Sequence, residues 1–300
     1  MSLVATLIHA PAKPALGADH VRLAQRTLES LGARQLSTAW LTPGEAVDLR
    51  FSGVAALAAR DALEAAFARA PLDIAVQPVA DRRKGLLVAD MDSTIIAVEC
   101  IDELADFAGL KPQVAAITEA AMRGELDFEA ALRQRVGLLA GMPVDVLARC
   151  YEERVRLNPG AKTLVATMAA HGAYCALVSG GFTYFTERVA ALAGFHFSRA
   201  NVLESRDGVL TGQVRDPIAK ADTKLRTLEE LMAAHGLTRA QTMAVGDGAN
   251  DIPMLQAAGL SVAYRGKPKA MAAAAMRVRH GDLTTLLFAQ GYGRAAFAAA

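Results

Sequence analysis

Cysteine, aromatic residues, long apolar runs and net charge are all scarce in this sequence, and each scarcity excludes something. There are three cysteines in 300 residues. Cys100, Cys150 and Cys175 stand far apart with no Cys-x-x-Cys pair, so they read as small buried hydrophobes of a reducing cytoplasm, not as a disulfide framework or a zinc site. The six histidines show no His-Glu-x-x-His spacing. No run of eighteen apolar residues exists, and Ala270 to Met276 is too short to span a bilayer. No basic segment followed by an apolar core marks the first residues, so neither a membrane span nor a secretory signal is expected. A net charge of +1 argues against a general electrostatic nucleic-acid binder. What remains is ordinary: 53% hydrophobic, 21% charged and 5% aromatic residues describe a cytoplasmic globular protein with room for one large or two ordinary domains, rich in helix.

Residues 1–80 read as a unit of the order βαββαβ. Leu3 to Ala10 is strand-like, and Asp19 to Leu31 helical with Leu23 and Leu28 toward a core. Arg34 to Leu41 and Ala46 to Phe51 form two strands around Thr42-Pro43-Gly44, Val54 to Arg69 is helical, and Leu72 to Val79 closes the unit. Topology alone makes this unit resemble the ferredoxin-like, ACT-like arrangement of small amino-acid-sensing domains. His9 and His20 read as surface or packing residues. The run Asp81-Arg82-Arg83-Lys84 reads as a linker with solvated charges.

Leu86 to Ala89 is a short apolar run suited to a strand buried on both faces of a parallel sheet, and it delivers Asp90 and Asp92. Ligands in such sheets bind at the carboxyl ends of strands. In an extended chain these carboxylates lie about 6.5–7 Å apart on one side, where they require a cation, a shared proton or a division of labour. A calcium loop counted from Asp90 fails, since its sixth position is Ile95 and its twelfth Ile101. A solvated loop remains the competing reading until the later segments are considered.

After Thr94 four amphipathic helices are expected, at Val98–Ala105, Val114–Ala121, Leu132–Leu139 behind an Asp127 cap, and Val146–Cys150 behind Pro143. They form an inserted bundle lying over the carboxylates as a lid. Read from sequence alone, Glu99 and Arg135 are surface charges, and Met122 and Phe128 are core. Beyond Asn158-Pro159-Gly160 the strand–helix alternation resumes. Tyr174 to Val178 leads into Ser179-Gly180-Gly181, an anion cradle if it is more than a glycine turn. The phosphate-loop pattern Gly-x-x-x-x-Gly-Lys is missing, which disfavours a nucleotide triphosphatase of that type. Residues 200–215 form a hairpin turning at Asp207-Gly208, followed by a helix carrying Lys220 and Lys224. Thr242 to Val245 ends in Gly246-Asp247-Gly248-Ala249-Asn250-Asp251, with Asn250 or Asp251 placed to cap the helix entered at Pro253. Leu260 to Tyr264, Met276 to Arg279 and a helix from Leu283 to Gln290 complete the chain. A parallel sheet sets Asp247 beside Asp90, and carboxylates next to an anion cradle make a magnesium phosphoryl-transfer site.

Asp90-Met-Asp92-Ser-Thr, Ser179-Gly-Gly, a lysine, and Gly-Asp247-Gly-Ala-Asn250-Asp251, in this order, resemble the four motifs of the haloacid-dehalogenase-like phosphatases. Glu99-Cys-Ile-Asp-Glu, Ala121-Met-Arg-Gly-Glu-Leu-Asp-Phe128 and Leu132-Arg-Gln-Arg135-Val are similar to the members that act on phosphoserine. The resemblance implies a Rossmann-like parallel α/β core (84–94 and 159–300) with an inserted helical cap (95–158), preceded by the α+β domain of residues 1–80. It implies magnesium-dependent hydrolysis of O-phospho-L-serine through an aspartyl-phosphate, the last step of serine biosynthesis. Asp90 matches the nucleophile and Asp92 the general acid/base. Asp90, Asp247 and the Asp92 main-chain carbonyl match the Mg2+ ligands, with Asp251 supporting them. Ser179, Gly180 and the lysine match the phosphate holders, and Asn250 lies close to them. Glu99 and Arg135 match the pair that binds the ammonium and carboxylate of serine, and Met122 and Phe128 the apolar residues around it. Lys224 fits the helical offsets of Leu228 and Leu231, and Lys220 stays open as the alternative. Another small phosphorylated metabolite such as phosphothreonine, or phosphoryl transfer in place of hydrolysis, also remains open. The expected partner is the small-molecule substrate, with no nucleic acid or membrane, and a homodimer is left open.

Overall fold

The computed structural model describes residues 2–10, 16–122 and 125–299, without the side chain of Met122. Its first segment holds β1 (Leu3–His9), α1 (Ala18–Ser30), β2 (Arg34–Thr42), β3 (Ala46–Ser52), α2 (Ala56–Ala66) and β4 (Leu72–Pro78). These strands form a four-stranded sheet in the order β2-β3-β1-β4, antiparallel at the β1–β3, β1–β4 and β2–β3 pairings. Every residue of β1 is buried, because α1 and α2 cover one face and the rest of the chain covers the other. Leu28 and Leu63 supply the helical side of this small core. Each such fully buried side chain contributes about 1.5–3 kcal/mol by leaving water.

The second sheet begins at β5 (Leu86–Ala89), whose four residues are all buried. The chain then leaves the sheet for α3 (Cys100–Phe107), α4 (Lys111–Met122), α5 (Phe128–Gly137) and α6 (Asp145–Arg154). The Asp127 carboxylate accepts from the Ala130 N–H at 2.7 Å and so starts α5, as its sequence position predicts. The entering and leaving chains meet in a short antiparallel bridge, Ile96 to Leu157, and Asn158 Nδ2 donates to the carbonyls of Thr94 and Ile96. The four-helix insert therefore joins the core through one narrow neck.

The sheet resumes through α7 (Ala161–Ala170), β6 (Tyr174–Phe182), α8 (Thr183–Ala193), β7 (Phe197–Arg206), β8 (Val209–Arg215) and α9 (Ala221–Ala234). It finishes with β9 (Thr242–Gly246), α10 (Ile252–Ala257), β10 (Leu260–Tyr264), α11 (Pro268–Ala273), β11 (Met276–Val278) and α12 (Thr285–Ala289). Strand order is β11-β10-β9-β5-β6-β7-β8, parallel except where β8 returns along β7. β5 is central, with Ala89 opposite Leu177 on one side and Val245 on the other. That register brings the chain after β5, β6 and β9 to one edge of the sheet, the carboxyl edge. The β7–β8 hairpin also holds the insert: Gly141 N–H donates to Leu210 O and Val144 N–H to Gly208 O. Among the described residues no helix is long and apolar enough to cross a membrane.

The linker charges differ from expectation. Asp81 and Arg83 are exposed, but Arg82 and Lys84 are buried. Arg82 forms a bidentate pair with Asp48 on β3, at 2.5 and 2.7 Å, while also donating to the Phe288 and Ala289 carbonyls at the end of α12. Lys84 Nζ donates to the carbonyls of Asp81 and Ala240, each at 2.7 Å. Long side chains on a polar stretch can thread into sockets that only the tertiary structure creates. Further ties join the two sheets. The buried Asp73 carboxylate accepts from the Arg279, His280 and Gly281 N–H groups, and Glu64 pairs with Arg277 at 2.6 Å.

Candidate active site

Three carboxylates converge at the carboxyl edge. Asp90 follows β5 directly and is 4% exposed; Asp247 follows β9 at 6%, and Asp251 is fully buried. One oxygen from each lies within 4.8 Å of the others. Lys224, from the first turns of α9, reaches into this group, with Nζ 2.6 Å from both Asp90 Oδ1 and Asp251 Oδ1. Lys220 caps the start of α9 and is exposed, so Lys224 is the lysine that meets the carboxylates.

Local backbone fixes each acid. Asp90 is extended and its Oδ1 accepts from the Met91 N–H at 2.8 Å, after which the chain turns through Ser93 in a left-handed conformation (φ 54°). Asp251 does not cap α10 with its side chain. Its Oδ2 instead accepts from the N–H groups of Asp247 and Gly248, at 3.1 and 2.9 Å, and its Oδ1 from Lys224. Gly246 makes that possible, since a Cβ there would stand 2.2 Å from Asp251 Cγ. Asp251 thus accepts three hydrogen bonds from the protein, whereas Asp90 and Asp247 line the cavity.

Burial shapes the electrostatics. It pushes the carboxyls of Asp90 and Asp247 above the usual range, with Asp251 adding to both, while Lys224 offsets part of the effect at Asp90. Burial, then the charge of Glu99, pushes Asp92 up to about 7. Burial alone would depress the Lys224 ammonium, but Asp251 and Asp90 outweigh it and hold its pKa above the ordinary value. One buried ammonium among three buried carboxylates leaves negative charge in excess. With only oxygen donors, that excess fits a hard divalent cation of the magnesium type and not a thiolate- or imidazole-seeking metal.

Ser179 and Gly180 extend β6 past Val178, where its pairing with β7 lapses until Phe182. Ser179 Oγ lies 3.3 Å from Asp92 Oδ2 and accepts from the Gly181 N–H at 2.8 Å. Asp92 Oδ1 accepts from the Cys100 N–H at 3.2 Å. A cavity of about 420 Å³ joins these groups to the insert, with Glu99, Phe128 and Arg135 on the insert side and Asn250 and Asp247 on the core side. Glu99 Oε1 accepts from Ser93 Oγ at 2.7 Å. Half-buried Arg135 donates through Nε to Ala131 O, in the field of Asp102 and Glu99. Every site residue expected from the sequence borders this cavity or the carboxylate cluster except Met122, whose side chain lies outside the described residues.

Sequence reasoning missed three residues here. Asp102 lines the cavity beside Glu99, one turn into α3, and looks like any exposed helix acid. Lys267 lines its mouth and stands 3.3 Å from Asp247 Oδ2. Buried Asn201 on β7 donates to the carbonyls of Gly180 and Ala219 and accepts from the Ala219 N–H, tying the cradle to the approach of α9. A buried amide with all these bonds made is visible only once β6 and β7 are paired.

Carboxylates at the ends of adjacent parallel strands, under a helical insert, define a capped α/β enzyme with an acidic, cation-ready site. A family model described as haloacid dehalogenase-like hydrolase matches residues 87–256. A phosphoserine phosphatase of Polaromonas sp. is 48% identical over 207 residues, covering 67% of this chain and 88% of the relative. A HAD family hydrolase of Salmonella enterica serovar Typhi superposes with a TM-score of 0.83 at 30% identity, across 96% of this chain and 97% of that one. A substrate-bound phosphoserine phosphatase gives 0.64 at 36% identity, across 69% and 98%. The chain belongs to the haloacid dehalogenase-like hydrolase family, in the branch formed by the phosphoserine phosphatases, and is an enzyme.

Proposed function

We propose that the chain hydrolyses O-phospho-L-serine to L-serine and phosphate, with Mg2+ bound and Asp90 as the nucleophile. The observation that carries this reading is the continuity of one cavity from Asp90 to Glu99 and Arg135, a carboxylate and a guanidinium facing the same space. The phosphatase unit is residues 84–300 with its cap at 95–158, and residues 1–80 form a separate unit that supplies none of these groups. Asp90 and Asp247, with the Asp92 main-chain carbonyl, would hold the metal, whose charge offsets the repulsion between a carboxylate and a phosphate dianion.

The residues divide the work. Ser179 Oγ, the Gly180 N–H and Lys224 bind the phosphate oxygens and stabilise the charge they carry in the transition state. The free oxygen of Asp90 attacks phosphorus, while its other oxygen is held by Met91 N–H and Lys224. Asp92, with its pKa near 7, donates a proton to the departing serine oxygen and later takes one from the water that hydrolyses the aspartyl-phosphate. Glu99 binds the substrate ammonium and Arg135 its carboxylate, bidentate. The cap keeps water away during the first transfer and admits it for the second.

The test is specificity with trapping. Asp90→Asn should abolish turnover with the fold intact, and acid-quenched wild type should carry labelled phosphate on Asp90. Arg135→Ala should lower kcat/KM for phosphoserine and phosphothreonine by roughly thirty- to several-thousand-fold, as expected for stranding a desolvated charge. Phosphoethanolamine, which lacks the carboxylate, should be nearly unaffected. Equal losses on all three substrates would show that Arg135 supports the cap and not the substrate.

A further inference from the structure

The turn after β10 is built tightly onto the end of β9. Arg265 is held in the left-handed region (φ 46°), which the Cβ of any non-glycine residue disfavours. A Cβ on Gly266 would stand 3.2 Å from the Asp247 carbonyl oxygen, and the Lys267 N–H donates to that same oxygen at 2.7 Å. This geometry carries the Lys267 side chain along the rim of the cavity, with Nζ 3.3 Å from Asp247 Oδ2. Helix chemistry does not explain the residue. Lys267 is the N-cap of α11, the end of a helix where a cation is least favoured.

The two lysines of the site differ in kind. Lys224 is 2% exposed and clamped by two carboxylates, so it cannot leave. The Lys267 side chain is 66% exposed, touches one carboxylate, and can rotate into water at little cost. Asp247 is a carboxylate that the metal reading needs in direct contact with the ion, and an ammonium on it would then face a divalent cation a few ångströms away.

We infer that Lys267 is an exchangeable counter-ion of Asp247, which occupies that carboxylate until a divalent cation binds and thereby sets the metal affinity of the site below what its acids alone would give. The inference rests on the metal site proposed above. Its test is titration of the metal-free full chain with Mn2+, following the electron paramagnetic resonance signal of the free ion. Lys267→Met should bind Mn2+ about two- to five-fold more tightly than wild type, the range expected for losing an exposed competing ion pair. The difference should shrink at high salt. Lys267→Arg, which keeps the charge, should stay near wild type. Unchanged or weaker binding in Lys267→Met overturns the inference, and so does equal tightening in the Met and Arg variants, which would assign the effect to the turn and not the charge. Wild type that binds no Mn2+ at millimolar concentration refutes the metal site itself, and this inference with it.

Discussion

Replacing Asp48 by Leu is expected to weaken the whole molecule from a position far from the chemistry. Asp48 is 2% exposed, and both of its oxygens are taken by Arg82, with Thr6 Oγ donating at 2.8 Å. Without the carboxylate, the guanidinium stays buried against the carbonyls of Phe288 and Ala289 with nothing to balance its charge. Stranding one partner of a buried pair costs about 3–5 kcal/mol, a large share of the roughly 5–15 kcal/mol that holds a typical domain together. The midpoint of thermal unfolding should fall by on the order of 10 °C. Adding Arg82→Met removes the stranded charge, and the double variant should recover most of the loss, because an apolar pair of similar volume often replaces a buried ion pair at little cost. Urea unfolding of the wild type, both single variants and the double variant supplies the cycle, and phosphate release at 20 °C should stay within about twofold throughout, since no cavity residue is touched. A single-variant cost below about 1 kcal/mol, or a double variant no better than Asp48→Leu, would refute the reasoning.

Gly246→Ala forces its Cβ into the space of Asp251 Cγ; activity should fall about a hundredfold or more, the loss typical of removing one preorganised electrostatic partner, and circular dichroism should show the fold retained. The three buried thiols should resist a disulfide reagent at pH 8 until denaturant is added. Burial pushes Cys175 up to about 12 and Cys150 up to about 11, so the reactive thiolate is on the order of one part in a thousand or less at that pH. Because the folded chain keeps these protons after the unfolded chain has released its own, stability should decline as pH rises from about 9 toward those values, measurable as a falling urea midpoint.

The sheet and its loops were legible because their signals are local. Four-residue apolar runs such as Leu86–Ala89 end at polar residues, and the expected strands at Arg34, Thr242 and Leu260 begin where the structure begins them. The ambiguity between Lys220 and Lys224 was not local. Lys220 stands at the N-cap of α9 and is exposed, whereas Lys224, four residues on, lies inside the helix and meets the Asp90 and Asp251 oxygens. Arg82, Asp102, Asn201 and Lys267 were misjudged or missed for the same reason. Each is an ordinary polar residue in an ordinary polar stretch, and its role is set by a partner 18 or more positions away or by a shared cavity wall.

The central position of β5 has a consequence for how the chain is made. Both of its neighbours are encoded later, and Val245, opposite Ala89, is added about 150 residues afterwards. At ordinary synthesis rates that is a delay of roughly 8–30 s during which four apolar residues lack their full complement of hydrogen bonds. The preceding sheet has no such wait, since all of its strands lie between Leu3 and Pro78. It can close on the ribosome first and present the Asp48 carboxylate to Arg82 as that residue emerges. The strand that carries Asp90 is therefore born next to a finished surface, as the middle of a sheet still waiting for both of its neighbours.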